Sequence, residues 1–194
     1  PYQVFYTVGS NNYTTTCPYS NDLGLGASIT CYVNYTVTAS DASTGTININ
    51  AYATSASPSV TSNSASYSVA VTICDVRHST ISTSGDPGRV YMTIYNYGNF
   101  TIRVSSITIY WNTQGSNRIT TIYLGGLLIW SGNYSSSPAS FSITNNNSIA
   151  PGASPLLEFH FGKKYFTNGS ERIVVQFMEP ACPILDSSNS SQLP

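Results

Sequence analysis

Residues 89–111 decide the fold, and they read RVYMTIYNYGNFTIRVSSITIYW. Over residues 89–97 the side chains alternate between two sets that would point to opposite faces of an extended strand. One face would carry Val90, Met92 and Ile94, and the other Tyr91, Thr93 and Tyr95. Gly98 and Asn99 then form a turn signal, and a second β-rich run continues to Trp111. This stretch therefore predicts two strands separated by a turn.

The same alternation recurs about every ten residues, whereas helical periodicity is nearly absent. β-branched and aromatic residues dominate these runs, as they do in sheets. The predicted strands are 2–8, 28–38, 45–54, 66–74, 89–97, 100–111, 119–124, 127–130, 139–144, 155–161 and 172–178. The Ser- and Ala-rich stretch 55–68 is predicted to be a surface loop. This spacing predicts an all-β fold, an antiparallel β-sandwich of the Ig-like or jelly-roll type.

Charge is unusually scarce in this chain. Its 194 residues carry a net charge of −1, and only 8% of them are charged, against roughly 25% in typical domains. Hydrophobic residues nonetheless make up 41% of the chain, so it is expected to fold. No basic stripe is present, which argues against nucleic-acid binding. With few carboxylates to protonate, the protein is also expected to resist acid unfolding.

Four cysteines, Cys17, Cys31, Cys74 and Cys182, indicate two disulfides with three alternative connectivities. We favour Cys17–Cys31 and Cys74–Cys182. The spacing matches no metal site, since no Cys-x-x-Cys occurs and His78 and His160 are isolated. No cofactor is expected. Membrane insertion is not expected either, because no 18-residue apolar run exists. Together with the opening residues, interpreted as a processed N-terminus, these features predict an extracellular, cell-surface protein.

The first eight residues allow two interpretations. Alternation places four apolar or aromatic side chains on one face, and a flexible Gly-Ser-Asn-Asn segment follows. These side chains are Tyr2, Val4, Tyr6 and Val8. One interpretation makes this segment the first strand of its own sheet. The other makes residues 1–12 a donor strand and hinge that completes the sheet of a neighbouring copy, and residues 13–194 the β-sandwich body.

Seven Asn-x-Ser/Thr sequons occur, which predict attached N-linked glycans. They begin at Asn12, Asn34, Asn99, Asn133, Asn146, Asn168 and Asn189. Asn34 falls on the outward side of its predicted strand. Most of the others lie in or beside turns, where a bulky glycan fits.

Catalytic motifs are missing, and we expect no enzymatic activity. Asp75 and His78 suggest a catalytic dyad but have no evident nucleophile. Glu158 and His160 share one strand face, and Glu171 lies elsewhere. The segment 85–88 is expected to be a turn rather than a calcium site. Trp111 and Trp130 are expected in the core, although exposed aromatics would suit a carbohydrate-binding platform.

Several features together resemble the subunit of archaeal thread filaments, the thin surface fibres of thermoacidophilic archaea. They are the N-terminal strand with its Gly-Ser-Asn-Asn hinge, a body rich in Thr, Ser, Asn and Tyr, dispersed sequons and very low charge. The segments 95–99 and 149–152 are also similar to Ig-like modules of archaeal surface proteins. The resemblance implies a heavily N-glycosylated homopolymer in which each copy inserts its N-terminal strand, here Tyr2, Val4, Tyr6 and Val8, into the next.

The sequence thus favours a structural subunit of an extracellular filament that polymerises head-to-tail and supports adhesion or cell–cell contact. Its expected partners are copies of itself and its own glycans. Two alternatives remain open at this point. One is a monomeric, secreted, carbohydrate-binding β-sandwich, and the other is an S-layer accessory module.

Overall fold

The computed structural model describes residues 2–9, 11–17, 27–56, 59–84, 88–113, 117–165 and 167–194. The regular secondary structure is almost entirely antiparallel β-strand, so the predicted all-β class is confirmed. It divides into two compact units, residues 1–72 and residues 73–194. This differs from the expected single body over residues 13–194. The predicted turn over residues 85–88 falls mostly outside the described residues.

The first unit is a single sheet with one short helix. Its strands are β1 (Tyr2–Val8), β2 (Asn11–Thr16), β3 (Thr46–Ala56), β4 (Ser59–Thr61) and β5 (Ala65–Ala70), and its helix is α1 (Ala39–Thr44). The strand order is β2-β1-β3-β4, with β5 also paired to β3 on the β4 side. All the pairings are antiparallel. The predicted loop 55–68 therefore contains β4 and the start of β5.

The second unit is a sandwich of two antiparallel sheets. Its strands are β6 (Val76–His78), β7 (Ser82–Ser84), β8 (Arg89–Asn96), β9 (Ile102–Tyr110), β10 (Ile119–Leu124), β11 (Leu127–Tyr134), β12 (Ala139–Ser142), β13 (Ser148–Ile149), β14 (Leu156–Phe161), β15 (Arg172–Phe177) and β16 (Leu185–Asp186). A 3-10 helical turn covers Ser190–Gln192. One sheet has the order β11-β10-β14-β8-β6 with β7 on β8, and the other β12-β9-β15-β16 with β13 on β9. Buried residues from both sheets form one core, which confirms the predicted sandwich for this unit.

The stretch 89–111 crosses from one sheet to the other, because β8 and β9 do not pair. At this corner the Asn96 amide donates to the carbonyls of Phe100 (2.9 Å) and Ile149 (3.0 Å) and accepts from the Gly98 amide (3.0 Å). A Cβ on Gly98 would lie 2.3 Å from the Ile73 carbonyl oxygen. Asn96 and Gly98 therefore stabilise the turn through which the chain passes from β8 in one sheet to β9 in the other.

Both favoured disulfides are present. Cys17 is bonded to Cys31 in the first unit, and Cys74 to Cys182 in the second. Disulfides persist in oxidising compartments, which indicates an extracellular or otherwise oxidising location for the protein.

The predicted strand 28–38 does not form. Tyr32, Val33 and Val37 are exposed, and residues 27–38 have no regular secondary structure. Helix α1 begins directly after them, because Thr38 and Asp41 form a reciprocal cap. The Asp41 amide donates to Thr38 Oγ1 (3.2 Å), and the Thr38 amide donates to Asp41 Oδ2 (2.8 Å). Alternation alone could not reveal that this segment lacks a neighbouring strand.

Within one chain, residues 2–8 form a strand of their own sheet, which is the first of the two interpretations of this segment. β1 pairs along its length with β2 on one side and β3 on the other, all within one chain. The predicted hinge contains a tight turn at Gly9 (φ +60°) followed by β2. The polar composition of residues 11–16 concealed this strand, although its threonines favour extended backbone.

The Arg172–Asp186 ion pair joins β15 to β16 and gives a testable pH dependence. Hydrogen bonds from Arg172, and then from Ser188, lower the pKa of the Asp186 carboxyl well below its usual range. A lowered pKa means that the pair stabilises the fold above the ordinary aspartate pKa, and that this stabilisation is lost as the pH falls below it. The D186N variant should unfold about 3–5 °C lower than the parent at pH 7, and this gap should narrow at pH 2. An equal gap at both pH values in thermal unfolding monitored by circular dichroism would contradict this assignment.

Candidate assembly interface

The predicted donor residues lie on the middle strand of the first unit. Val8 is buried, and Val4 and Tyr6 are half-buried. The Tyr6 ring stacks on that of Tyr13 across the β1–β2 pair, with centroids 5.2 Å apart. The side chain of Tyr2 lies outside the described residues. Strand parity places the side chains of Val4, Tyr6, Val8 and Tyr13 on one surface, which we call the apolar face of the sheet.

The apolar face is only partly covered within the described part of the first unit. The Tyr13 and Tyr35 rings form a T-shaped pair with centroids 6.2 Å apart, and the Tyr35 hydroxyl donates to Asp41 at 2.7 Å. This hydrogen bond to the carboxylate raises the pKa of Tyr35. On β5, however, Tyr67 is 72% exposed and Val69 40% exposed. The apolar face therefore continues to an uncovered margin at β5.

The opposite face of the sheet is polar and carries side-chain bridges between strands. Asn50 donates to the Thr7 hydroxyl (3.4 Å) and accepts from Ser66 (2.6 Å), and Ser68 donates to Asn48 (2.6 Å). Phe5 and Tyr52 stack 5.2 Å apart beside this network. Together with Thr7, Asn12, Thr14 and Asn50, they line a groove of about 380 Å³. We call this the aromatic groove.

Both margins of the sheet are open along their outer edges. Within the described residues β2 pairs only with β1, and β5 only with β3. In an antiparallel ladder, residues alternate between those that hydrogen-bond to the partner strand and those whose backbone groups point away from it. The Gly9 amide donates to the Asn48 carbonyl and the Val71 amide to the Gly45 carbonyl, and these two bonds fix which residues of each strand are which. In that alternation the even-numbered residues of both strands, Thr14 and Ser68 among them, direct their backbone N–H and C=O groups outward.

Neither edge strand contains a charged residue. The chain has seven basic and eight acidic residues, but residues 1–72 contain only Asp22 and Asp41. Monomeric β-proteins usually place lysine, proline or a bulge on an exposed edge to prevent pairing with another chain. Neither lysine nor proline occurs in β2 or β5.

The first unit also buries little apolar surface. Among its described residues only Val8, Cys17 and Ile47 are buried hydrophobics, whereas the second unit has 24 in one cluster. Seven of the 13 most exposed large hydrophobic residues of the described chain lie in the first unit. A unit of this size with so small a core is marginally stable alone. Burial against another molecule would stabilise it.

All seven sequon asparagines are exposed. They lie at Asn12, Asn34, Asn99, Asn133, Asn146, Asn168 and Asn189. Four other asparagines of the second unit are buried, and none of them begins a sequon. These buried residues are Asn96, Asn112, Asn117 and Asn147. All seven sequon asparagines are therefore accessible at the surface of the described structure.

The structure separates the residues that suggested chemistry. His78 is 1% exposed, and its ring nitrogens contact the carbonyls of Ser79 (2.9 Å) and Asn189 (3.2 Å), whereas Asp75 pairs with Arg77. This arrangement makes His78 a core residue rather than half of a dyad. The described residues contain no group of three His, Cys, Asp or Glu side chains suited to a metal ion.

The two glutamates singled out in the sequence, Glu158 and Glu171, also have separate partners. Glu158 contacts Arg89 and His160 at 3.4 Å each, whereas Glu171 accepts from the hydroxyls of Tyr165 (2.7 Å) and Thr167 (2.9 Å). Burial, aided by the Glu171 hydrogen bond, raises the pKa of Tyr165 beyond the ordinary tyrosine range. Each carboxylate thus has its own set of partners.

Trp111 lies in the core as expected, whereas Trp130 is half-buried and packs against the core. Trp111 is buried against Phe161, with ring centroids 6.1 Å apart. Trp130 packs on Phe141 at 4.5 Å, and its ring also covers Gly132, where a Cβ would lie 2.6 Å from it. The burial of Trp111 leaves no open face of that ring for stacking on a sugar.

No family model, curated protein or solved structure matches this chain. In the described residues no helix has the length and apolarity needed to cross a bilayer. The open edges of the first unit were not identified from the sequence. The scarcity of charge over residues 1–72 was the signal that could have revealed them.

Proposed function

We propose that the chain is a structural subunit of an extracellular homopolymeric filament, and that copies join through the sheets of their first units. The observation that supports this most strongly is the pair of open, uncharged edge strands β2 and β5 on opposite sides of one sheet. Unpaired N–H and C=O groups along such edges are templates for another strand. The occupant of each edge would be the opposite edge of a second copy.

The topology permits this pairing to repeat. β2 and β3 run in one direction, whereas β1 and β5 run in the other. When β5 of one copy is placed beside β2 of an identically oriented copy, the two strands are antiparallel. The contact joins different surfaces and leaves one free edge at each end, so it propagates instead of closing.

The two edges also match in length and in energy. Each strand has six residues, enough for about six inter-strand hydrogen bonds. At about 0.5–1.5 kcal/mol each, these contribute roughly 3–9 kcal/mol before the cost of association. Alignment of Tyr13 with Tyr67 and Val69 would add apolar burial along the same face.

Glycans are compatible with this arrangement. Asn12 lies on β2, but its side chain points to the polar face and not along the edge, because side chains stand roughly perpendicular to a sheet. Asn133, Asn146, Asn168 and Asn189 lie on the second unit, whose surface glycans would keep an almost uncharged polymer soluble. Surface display of these units would support adhesion or cell–cell contact.

Donor-strand exchange is the alternative route to the same filament. β1 fills a slot between β2 and β3, and a second copy's β1 would fill it in the same register. Exchange first requires both ladders of β1 to open, whereas edge pairing breaks no existing bond. We therefore favour edge pairing as the mode of assembly.

A secreted carbohydrate-binding monomer is the second candidate function, and the aromatic groove favours it. Phe5 and Tyr52 present a stacked aromatic surface, and Asn12, Asn50, Thr7 and Thr14 supply hydrogen-bonding groups. This candidate predicts saccharide-dependent tyrosine fluorescence changes, abolished by Y52A, in a protein that stays monomeric.

Electron microscopy and light scattering of the purified full chain test the proposed function. We expect unbranched filaments that lengthen with protein concentration. Assembly should change little between 0.05 and 0.5 M NaCl, because the contact has no charged partners to screen. A monodisperse monomer under all of these conditions, with and without glycans, would overturn the filament proposal.

A further inference from the structure

A second pocket lies in the second unit, at one end of its larger sheet. It has a volume of about 470 Å³ and is lined by Arg118, Thr120, Asn133, Gly162 and Lys163. Three strands meet there, since Ile119 pairs with Tyr134 on one side and Phe161 on the other. The volume lies in the range of small-ligand sites and accommodates one or two sugar rings.

The pocket brings together two basic side chains, whereas the four other arginines of the unit are paired with carboxylates. Arg77, Arg89, Arg103 and Arg172 each contact a carboxylate, at Asp75, Glu158, Glu179 and Asp186 respectively. Arg118 and Lys163 have no such carboxylate among the described residues, and both line this one pocket. In a chain with seven basic residues, two uncompensated cations in one cavity indicate an anionic ligand.

The other lining groups suit a sugar rather than a bare ion. The Thr120 hydroxyl donates to the His160 carbonyl at 3.1 Å, which leaves its oxygen free to accept from a ligand hydroxyl. The Asn133 amide both donates and accepts. A Cβ on Gly162 would come within 3.2 Å of Thr120 Cγ2, so this glycine keeps the pocket open.

We propose that this pocket binds a carboxylate-bearing saccharide unit. The Arg118 guanidinium would bind the carboxylate through two parallel N–H···O bonds, Lys163 would supply a second charge, and Thr120 and Asn133 would bind ring hydroxyls. The ligand comes either from a glycan carried by the protein, of which the Asn133 glycan is the nearest, or from a free acidic polysaccharide. The inference concerns only the second unit and does not depend on filament formation.

Calorimetric titration of the full chain, produced without N-glycosylation, tests the pocket with tetragalacturonate as the probe and neutral maltotetraose as its control. Enzymatic deglycosylation is unsuitable, because it would convert Asn133 to aspartate and place a negative charge in the pocket. We expect tetragalacturonate to bind and maltotetraose not to bind. The R118Q/K163Q variant should bind the probe at least ten-fold more weakly, and R77Q, with a charge lost elsewhere, should bind it normally.

Additional variants separate the saccharide from a simple anion and identify its source. G162V should weaken binding without removing a charge, with near-ultraviolet circular dichroism confirming the fold. In glycosylated protein, S135A removes the sequon but keeps the Asn133 side chain. It should increase binding of the probe if the Asn133 glycan occupies the pocket, and should leave it unchanged if the ligand is a free polysaccharide. Equal binding of maltotetraose, unchanged binding by R118Q/K163Q, or equal competition by inorganic phosphate would overturn the proposal.

Discussion

The S68P variant should form no filaments, whereas S68A should assemble as the parent does. Ser68 lies at the middle of β5, and its backbone N–H points to the open edge. Proline removes that donor and places its ring where the partner strand must lie, but it breaks no bond to β3. Both variants lose the hydroxyl bond to Asn48, so S68A controls for that loss. T14P and T14A are the equivalent pair on β2.

The measurement is filament length by electron microscopy and particle mass by light scattering at equal protein concentration. Loss of the repeating contact acts at every junction, so the expected change is from long filaments to monomers. Circular dichroism and thermal unfolding must show that S68P retains the parent fold. Normal filaments from S68P and T14P would rule out edge pairing and would leave exchange of β1, which does not use these edges.

Removal of the Cys74–Cys182 disulfide should cause the largest loss of stability. The bond closes a loop of 108 residues, nearly the whole second unit. A crosslink of this length restricts the unfolded chain by about 4–5 kcal/mol. C74S/C182S should therefore lower the unfolding temperature of the second unit by about 10–20 °C. C17S/C31S, which opens a separation of 14 residues in the first unit, serves as the matched control.

Differential scanning calorimetry separates these effects. C74S/C182S should lower the unfolding temperature of the second unit. C17S/C31S should lower that of the first unit, with a loss of unfolding free energy of about 3 kcal/mol or less. If C74S/C182S unfolds within 2 °C of the parent, the disulfide does not stabilise the second unit in this way.

Much of the second unit was predictable from the sequence, because its strands are buried on one face. Residues 119–124 were assigned as the structure has them, and 89–97 and 155–161 within one residue at a boundary. Val90, Met92 and Ile94 face the core as their alternation predicted. A strand that is buried on one side only has apolar residues at every second position, and this period can be recognised without a structure.

The first unit was predicted less well, because the alternation of apolar and polar residues there does not correspond to strands buried on one face. Residues 28–38 alternate but form no strand, and residues 11–16 lack an apolar pattern but form one. Strand β2 forms because Gly9 turns the chain back against β1, a tertiary cause that composition conceals. The open edges and the pocket at Arg118 depend on which strands are neighbours, and a single sequence does not contain that information.

Edge pairing is tested by an electron cryo-microscopy structure of the filament at a resolution that traces each strand. We predict a continuous antiparallel sheet in which β5 of one copy lies beside β2 of the next, while β1 stays between β2 and β3 of its own chain. A map that places β1 in a neighbouring sheet, or that joins the copies only through their second units, would contradict it.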